Sequence, residues 1–226
     1  NGISFTINKG ETLGLVGESG CGKTSTLRAI MQLIKPDSGQ ILFLGDDLAK
    51  LSAVKLQKIR KEFQMIFQDP FTSLNPKMSV SSILKEPSII HQNFKTNELD
   101  DLVNNLLIQV GLNIDIKHRK PHQLSGGQRQ RVGIAKAISL KPKLLVCDEP
   151  LSSLDQKRKI QLLDYLHKIH KELGIPMLYV SHSMDELVQL SDNILFLDDG
   201  RSLAHGPIKD VLAHHELQNF YGLEET

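Results

Sequence analysis

Short apolar runs and helix-spaced apolar positions alternate along this chain, and the alternation predicts its elements. ISFTI (Ile3–Ile7) switches between apolar and polar at each step, a strand pattern. LGLV (Leu13–Val16) is a compact apolar run that ends at a glycine-rich turn. Beyond it Leu27, Ile30, Met31 and Ile34 recur at helical spacing until Pro36-Asp37-Ser38-Gly39 stops the helix. ILFL (Ile41–Leu44) and FQMIF (Phe63–Phe67) read as further strands, with a helical pattern from Ser52 to Arg60 between them.

From residue 68 to about 142 the strand signal fades. Pro70, Pro76, Pro87 and Pro121 punctuate polar, helix-compatible stretches. Leu99, Leu102, Val103, Leu106, Leu107 and Val110 keep helical spacing up to Gly111. This segment reads as a helical insertion. From Lys143 the mixed pattern returns, with LLVC (Leu144–Cys147) and MLYVS (Met177–Ser181) as strands. Between them Ile160, Leu163, Leu166, Ile169 and Leu173 trace an amphipathic helix. NILFLDDGRSLAHG reads as a hairpin turning at Asp199-Gly200. Strands alternating with helices predict an α/β fold around a mostly parallel sheet covered on both faces. The expected organisation is one domain over 1–226, with the core in 1–67 and 143–226 and the helical insertion in 68–142.

Composition narrows the class. The 226 residues are 40% hydrophobic and 23% charged, enough apolar material for a sizeable core and too much for intrinsic disorder. A net charge of +1 gives no global field toward nucleic acid or a lipid surface. No run approaches the roughly 18 consecutive apolar residues of a membrane span. The opening NGISFTINKG has neither the basic start nor the apolar centre of a signal peptide. Two cysteines, Cys21 and Cys147, are too few for a disulfide framework or a four-ligand zinc site. The expectation is a soluble, cytoplasmic chain. It starts without Met inside a strand-like stretch, so a preceding segment is expected too.

Three motifs carry chemistry. Gly17-Glu18-Ser19-Gly20-Cys21-Gly22-Lys23-Thr24, followed by Ser25, fits the phosphate-loop pattern at every fixed position, after a strand and before a helix. Glycines let backbone N–H groups turn inward as an anion nest, and the helix N-terminus adds its positive end. Lys23 then reaches the β- and γ-phosphates of a nucleotide, and the Thr24 hydroxyl holds Mg²⁺. Alone, this motif supports any phosphate-loop nucleotide-binding protein. The second motif is an apolar strand ending in Asp148-Glu149. One carboxylate there accepts the metal's water shell and the other polarises an attacking water. The third is Leu124-Ser125-Gly126-Gly127-Gln128 ahead of RQRVGIAKAISLKPK, a set of free N–H groups at a helix start suited to a phosphate.

At this third motif the chain resembles the ATP-binding-cassette ATPases, whose signature is LSGGQ. Gln68 after FQMIF, Ser153-Leu154-Asp155 after Glu149, and His182 after MLYVS fall in that family's order. The resemblance covers nearly the whole chain and implies a phosphate-loop (RecA-like) core with an antiparallel β portion. It implies ATP and Mg²⁺, and two subunits pairing head to tail, each ATP lying between one phosphate loop and the partner's signature. Lys23 and Thr24 would bind phosphate and metal, while Gln68 and Asp148 would complete the metal shell. Glu149 would be the general base, and His182 would hold the γ-phosphate and position water. The family's adenine-stacking aromatic lies upstream of the first strand seen here, so no adenine platform is assigned.

GESGCGKT, MIFQDPFTSLNPKMSV and PHQLSGGQRQRVGIAKAISLKPKLLVCDEP resemble the peptide and nickel importer ATPases of bacteria, although the C-terminal cysteine cluster frequent there has no counterpart. SSLDQKRKIQLLDYL through IPMLYVSHSMDELVQLSD looks more like the molybdate importer ATPases. The first segment carries more weight, because in this family the region after Gln68 and the insertion receive the membrane subunits. Phe71 and Leu74 are the candidates for that contact. The implied partners are a second ATPase subunit, two transmembrane permease subunits and, indirectly, a solute-binding protein, at the cytoplasmic face of the cell membrane. A nucleic-acid ATPase with the same cassette would carry coiled-coil arms, zinc-binding cysteines or a basic linker, and none is present in the sequence. A catalytically dead regulatory cassette conflicts with intact Lys23, Asp148, Glu149 and His182.

Overall fold

A computed structural model describes residues 2–67, 74–91, 96–152 and 154–213. Gln68, Phe71 and Ser153 lie outside the described residues. In chain order the elements are β1 (Thr12–Gly17), α1 (Lys23–Ile30), β2 (Leu42–Phe43), β3 (Asp46–Asp47), α2 (Ala53–Ile59) and β4 (Phe63–Ile66). The insertion supplies α3 (Val80–His91), α4 (Thr96–Gln109) and α5 (Gly126–Ile138). Then follow β5 (Leu144–Asp148), α6 (Gln156–Leu173), β6 (Met177–Val180), α7 (Met184–Leu190), β7 (Asn193–Asp198), β8 (Arg201–Pro207) and α8 (Ile208–Leu212).

The main sheet has strand order β4-β5-β6-β1-β7-β8. All neighbouring pairs are parallel except the β7–β8 hairpin, whose turn is Asp199-Gly200 as its residues predict. Both turn residues have positive φ (41° and 71°), the backbone a tight primed turn demands. Successive side chains of each central strand enter different cores. Leu145, Cys147, Met177, Tyr179, Ile194 and Phe196 join one apolar cluster with the insertion, α6 and α7. Val146, Leu178, Val180, Leu195 and Leu197 join another with Leu27 of α1 and Phe63. Helices covering both faces explain why these strands read as unbroken apolar runs.

Six expectations change. Residues 3–7 form no ladder, yet Ile3, Phe5 and Ile7 all turn toward the second cluster, so the alternation reports one-sided packing without strand pairing. Helix α1 ends at Ile30, ahead of Pro36, because the chain turns at Gln32 (φ 52°) and leaves Ile34 exposed. In the ILFL run only Leu42–Phe43 pairs, forming a separate two-stranded ribbon with Asp46–Asp47. On α6, Ile160 is exposed, so the buried stripe runs through Leu162, Leu163, Leu166 and Ile169. Pro87, read as punctuation, sits buried inside α3. Leu74 is 2% exposed within the insertion's core, which makes it a packing residue and not a docking one.

Candidate functional site

Parallel pairing brings the C-terminal ends of β1, β4, β5 and β6 to one edge of the sheet. Val180 at the end of β6 lies level with Leu15 of β1 and with Asp148 of β5. The phosphate loop and the turns that bear Asp148, Glu149 and His182 leave from this edge, the place where open α/β sheets bind ligands.

The phosphate loop leaves β1 at Gly17. A side chain there would collide with the Leu197 carbonyl and come within 2.7 Å of Cys21 Sγ, so glycine is required. Gly22 caps α1 in a left-handed conformation (φ 108°) that turns the loop into the helix. Lys23 is buried, and its Nζ donates to the carbonyls of Gly17 (2.6 Å) and Glu18 (2.7 Å), 3.8 Å from Cys21 Sγ. Glu18, Ser19, Gly20, Thr24 and Ser25 are exposed along the loop and the first turn of α1. The Gly200 N–H donates to the Cys21 carbonyl (3.0 Å), so the hairpin turn buttresses the loop.

Asp148 ends β5 half-buried. Burial, and then the neighbouring Glu149 carboxylate, push its carboxyl above the usual range, while Arg28 and Lys23 pull it back. Glu149 has φ 44°, a strained conformation for a side chain of this size, and stands directly before Pro150. Its N–H donates to the Val180 carbonyl (3.0 Å), and its carbonyl accepts from Ser152 N (3.2 Å) and Oγ (3.0 Å). His182 is exposed and places Nδ1 3.4 Å from Glu149 Oε1. Lys23, Asp148, Glu149 and His182 thus share one edge.

Ser125 caps α5 in a reciprocal box: its Oγ accepts from Gln128 N (3.2 Å), and Gln128 Oε1 accepts from Ser125 N (3.0 Å). Gly126 and Gly127 form the first turn, where a Cβ on Gly127 would touch Arg158 Cδ (3.6 Å). Asp155 caps α6, accepting from Arg158 N (3.1 Å) and pairing with Arg158 Nε (3.2 Å). Among the described residues, no hydrogen bond or ion pair joins Ser125–Gln128 to Gly17–Ser25.

Two groups were missed by the sequence reading. Behind His182, buried Glu186 accepts from Tyr179 Oη (2.9 Å) and Ser181 Oγ (2.8 Å), with Lys159 Nζ at 3.7 Å. That Glu reads from sequence as an ordinary acidic first turn. Gln130 on α5 is 1% exposed and donates from Nε2 to the Pro150 carbonyl (2.6 Å). Its signal was available: Gln130, Ile134 and Ile138 lie on one helical stripe, and a polar residue in an apolar stripe needs a partner.

A family profile described as ABC transporter matches residues 1–152. The chain is 46% identical to the oligopeptide transport ATP-binding protein AppF of Bacillus subtilis (strain 168), over 96% of this chain and 64% of that protein. It is 40% identical to the oligopeptide transport ATP-binding protein OppF of Haemophilus influenzae, over 97% of this chain and 66% of that protein. The chain therefore spans a little under two thirds of the length of these relatives. Its fold superposes on cbiO1 of Clostridium perfringens, part of the ABC transporter complex cbiONQ, with a TM-score of 0.85 at 30% identity, covering 99% and 87% of the two chains. It also superposes on the dimeric ATP-binding cassette MJ0796 bound to ADP and Pi, with a TM-score of 0.81 at 28% identity, covering 90% and 88%.

Proposed function

Because the chain belongs to the ABC transporter family, we propose that it is the ATP-hydrolysing subunit of a bacterial importer, with oligopeptides or dipeptides as the transported solute. The observation that carries this reading is the gathering of Lys23, Asp148, Glu149 and His182 at one sheet edge. The Lys23 ammonium exchanges its two loop carbonyls for phosphate oxygens, and the loop amides with the α1 N-terminus take the remaining charge. Glu149 accepts a proton from the attacking water, and His182, already beside it, fixes that water and the γ-phosphate.

The donor set fits Mg²⁺. An exposed Thr24 hydroxyl and a half-buried Asp148 carboxylate are hard oxygen ligands, and Asp148 is crowded by Glu149, a repulsion a cation relieves. Gln68 is assigned to the same shell by resemblance. An ion held there would supply positive charge against the charge that develops on the phosphates.

A second ATPase subunit supplies Ser125, Gly126, Gly127 and Gln128 to the other face of the nucleotide, with Asp155 beside the interface. The MJ0796 cassette, a dimer bound to ADP and Pi, supports the pairing of two such subunits. Two permease subunits dock at the insertion. A cavity of about 350 Å³ lies there, lined by Phe67, Met65, Arg60, His91 and Lys136, with exposed Ile89 and Ile90 on α3. No described helix is long and apolar enough to cross a membrane. In this reading those partners hold the chain at the cytoplasmic face. The molybdate-like last third is outweighed by relatives named for oligopeptide transport across nearly the whole chain. Steady-state ATP hydrolysis by wild type and Glu149→Gln tests the proposal. Turnover in wild type that falls at least 100-fold in the variant is expected, and equal turnover in both overturns it.

A further inference from the structure

Glu149 is held in a left-handed conformation ahead of a proline, and such strain persists only where the surroundings over-determine it. Three sources supply the restraint. Strand β6 binds the Glu149 N–H through Val180, and Ser152 binds the Glu149 carbonyl twice. The third is remote in sequence: Gln130 on α5 donates its side-chain amide to the carbonyl of Pro150, the next residue. Gln130 is essentially unexposed, and its Oε1 is buried without a hydrogen-bond partner. Keeping an unsatisfied carbonyl oxygen in the interior is unfavourable, so an apolar residue would serve the core better. An amide here is explained by the bond it makes.

The two ends of that bond matter. Helix α5 starts at Gly126, one turn before Gln130, and its cap is Ser125. Gln130, Gly133, Lys136 and Ala137 of α5 also line the 350 Å³ cavity beside β4. One helix thus touches the signature end, the cavity and the turn that bears Glu149.

We propose that Gln130 is a positioning residue that sets the Glu149–Pro150 turn from α5, so that displacement of α5 within a subunit moves that subunit's own general base. This rests on the reading of Glu149 as the base. It adds a route by which occupancy of the signature end or the cavity regulates hydrolysis.

Gln130→Met keeps the volume and removes the donor. Its kcat for ATP falls about 3- to 10-fold, the worth of one hydrogen bond, with the KM and Kd for ATP within about two-fold of wild type. In a Glu149→Gln background the same substitution slows single-turnover hydrolysis no further, because both changes act through one group. Gln130→Ala, which makes no steric demand on the helix, repeats the comparison should Gln130→Met not fold. An unchanged kcat overturns the proposal. So does an equal further fall in the Glu149→Gln background, or a joint loss of kcat and ATP affinity, either of which marks a purely structural role. Full turnover in Glu149→Gln alone removes the functional reading itself, a result distinct from normal kcat in Gln130→Met beside an inactive Glu149→Gln.

Discussion

At the scale of single residues, Lys23 and Asp148 carry opposite stakes. The Lys23 ammonium is buried, satisfied by two backbone carbonyls, and nothing in an alanine replaces its charge-assisted contact with phosphate. Lys23→Ala is expected to weaken ATP binding at least 100-fold in a fluorescent-nucleotide titration; affinity within a few-fold of wild type would misassign the loop. Asp148 is a group that folding disfavours in its charged form. Its carboxyl keeps a proton to higher pH in the folded chain than in the unfolded one. Between those two values the folded state binds more protons, so stability falls as pH rises, and the ionised Asp148 remains a net penalty at neutral pH. Without nucleotide or metal, Asp148→Asn should therefore melt above wild type at pH 7, with the gap closing as pH falls through the carboxylate range. A lower melting temperature for the variant at pH 7 would refute this. The same Asp148→Asn substitution removes the charge proposed to hold Mg²⁺, so the gain in stability accompanies a loss of turnover.

At the scale of elements, α5 shows most clearly what a cap does. Ser125 and Gln128 satisfy each other's backbone amides, and loss of one N-cap hydroxyl costs about 1 kcal/mol, or roughly 2–4 °C for a chain of this size. Ser125→Ala should show that modest shift in a thermal melt. Because Ser125 is also proposed to face the partner's nucleotide, its ATP turnover should fall by more than 10-fold. A loss of stability without loss of turnover would confine Ser125 to capping. The elements themselves were mostly legible in the sequence. Apolar runs such as Leu144–Cys147 located the buried strands, and the motifs located the turns between them. The failures have two causes: alternation does not report what a backbone bonds to, and helical spacing at one position does not fix that it faces the core. Ile3, Phe5 and Ile7 alternate inward without a ladder, and Ile160 keeps helical spacing while facing solvent. Gln130 and Glu186 went unread because their partners, Pro150 and Tyr179, are distant in sequence or on another element.

At the scale of the whole molecule, the signature turn and the phosphate loop leave from different parts of the chain and share no hydrogen bond among the described residues. In the proposed arrangement a second copy or a homologous partner completes the site, and phosphate mediates the interface. Bound nucleotide should accordingly control assembly by mass action. Glu149→Gln with ATP and Mg²⁺ should elute as a dimer in size-exclusion chromatography, and as a monomer without nucleotide. Elution as a monomer at high protein concentration with saturating ATP would argue against the composite site.

The position of β1 bears on when this molecule becomes functional. Its residues 12–17 are made well before the strands that clamp them, β6 (Met177–Val180) and β7 (Asn193–Asp198), and the loop that follows rests on the Gly200 amide. During synthesis the nascent phosphate loop has no bed to lie in until the chain has grown past residue 200. Until then the apolar Leu13-Gly14-Leu15-Val16 segment has no strand neighbours, and ATP has no formed pocket to capture. The phosphate loop takes shape only after the signature, the acidic strand end and His182 have all been made.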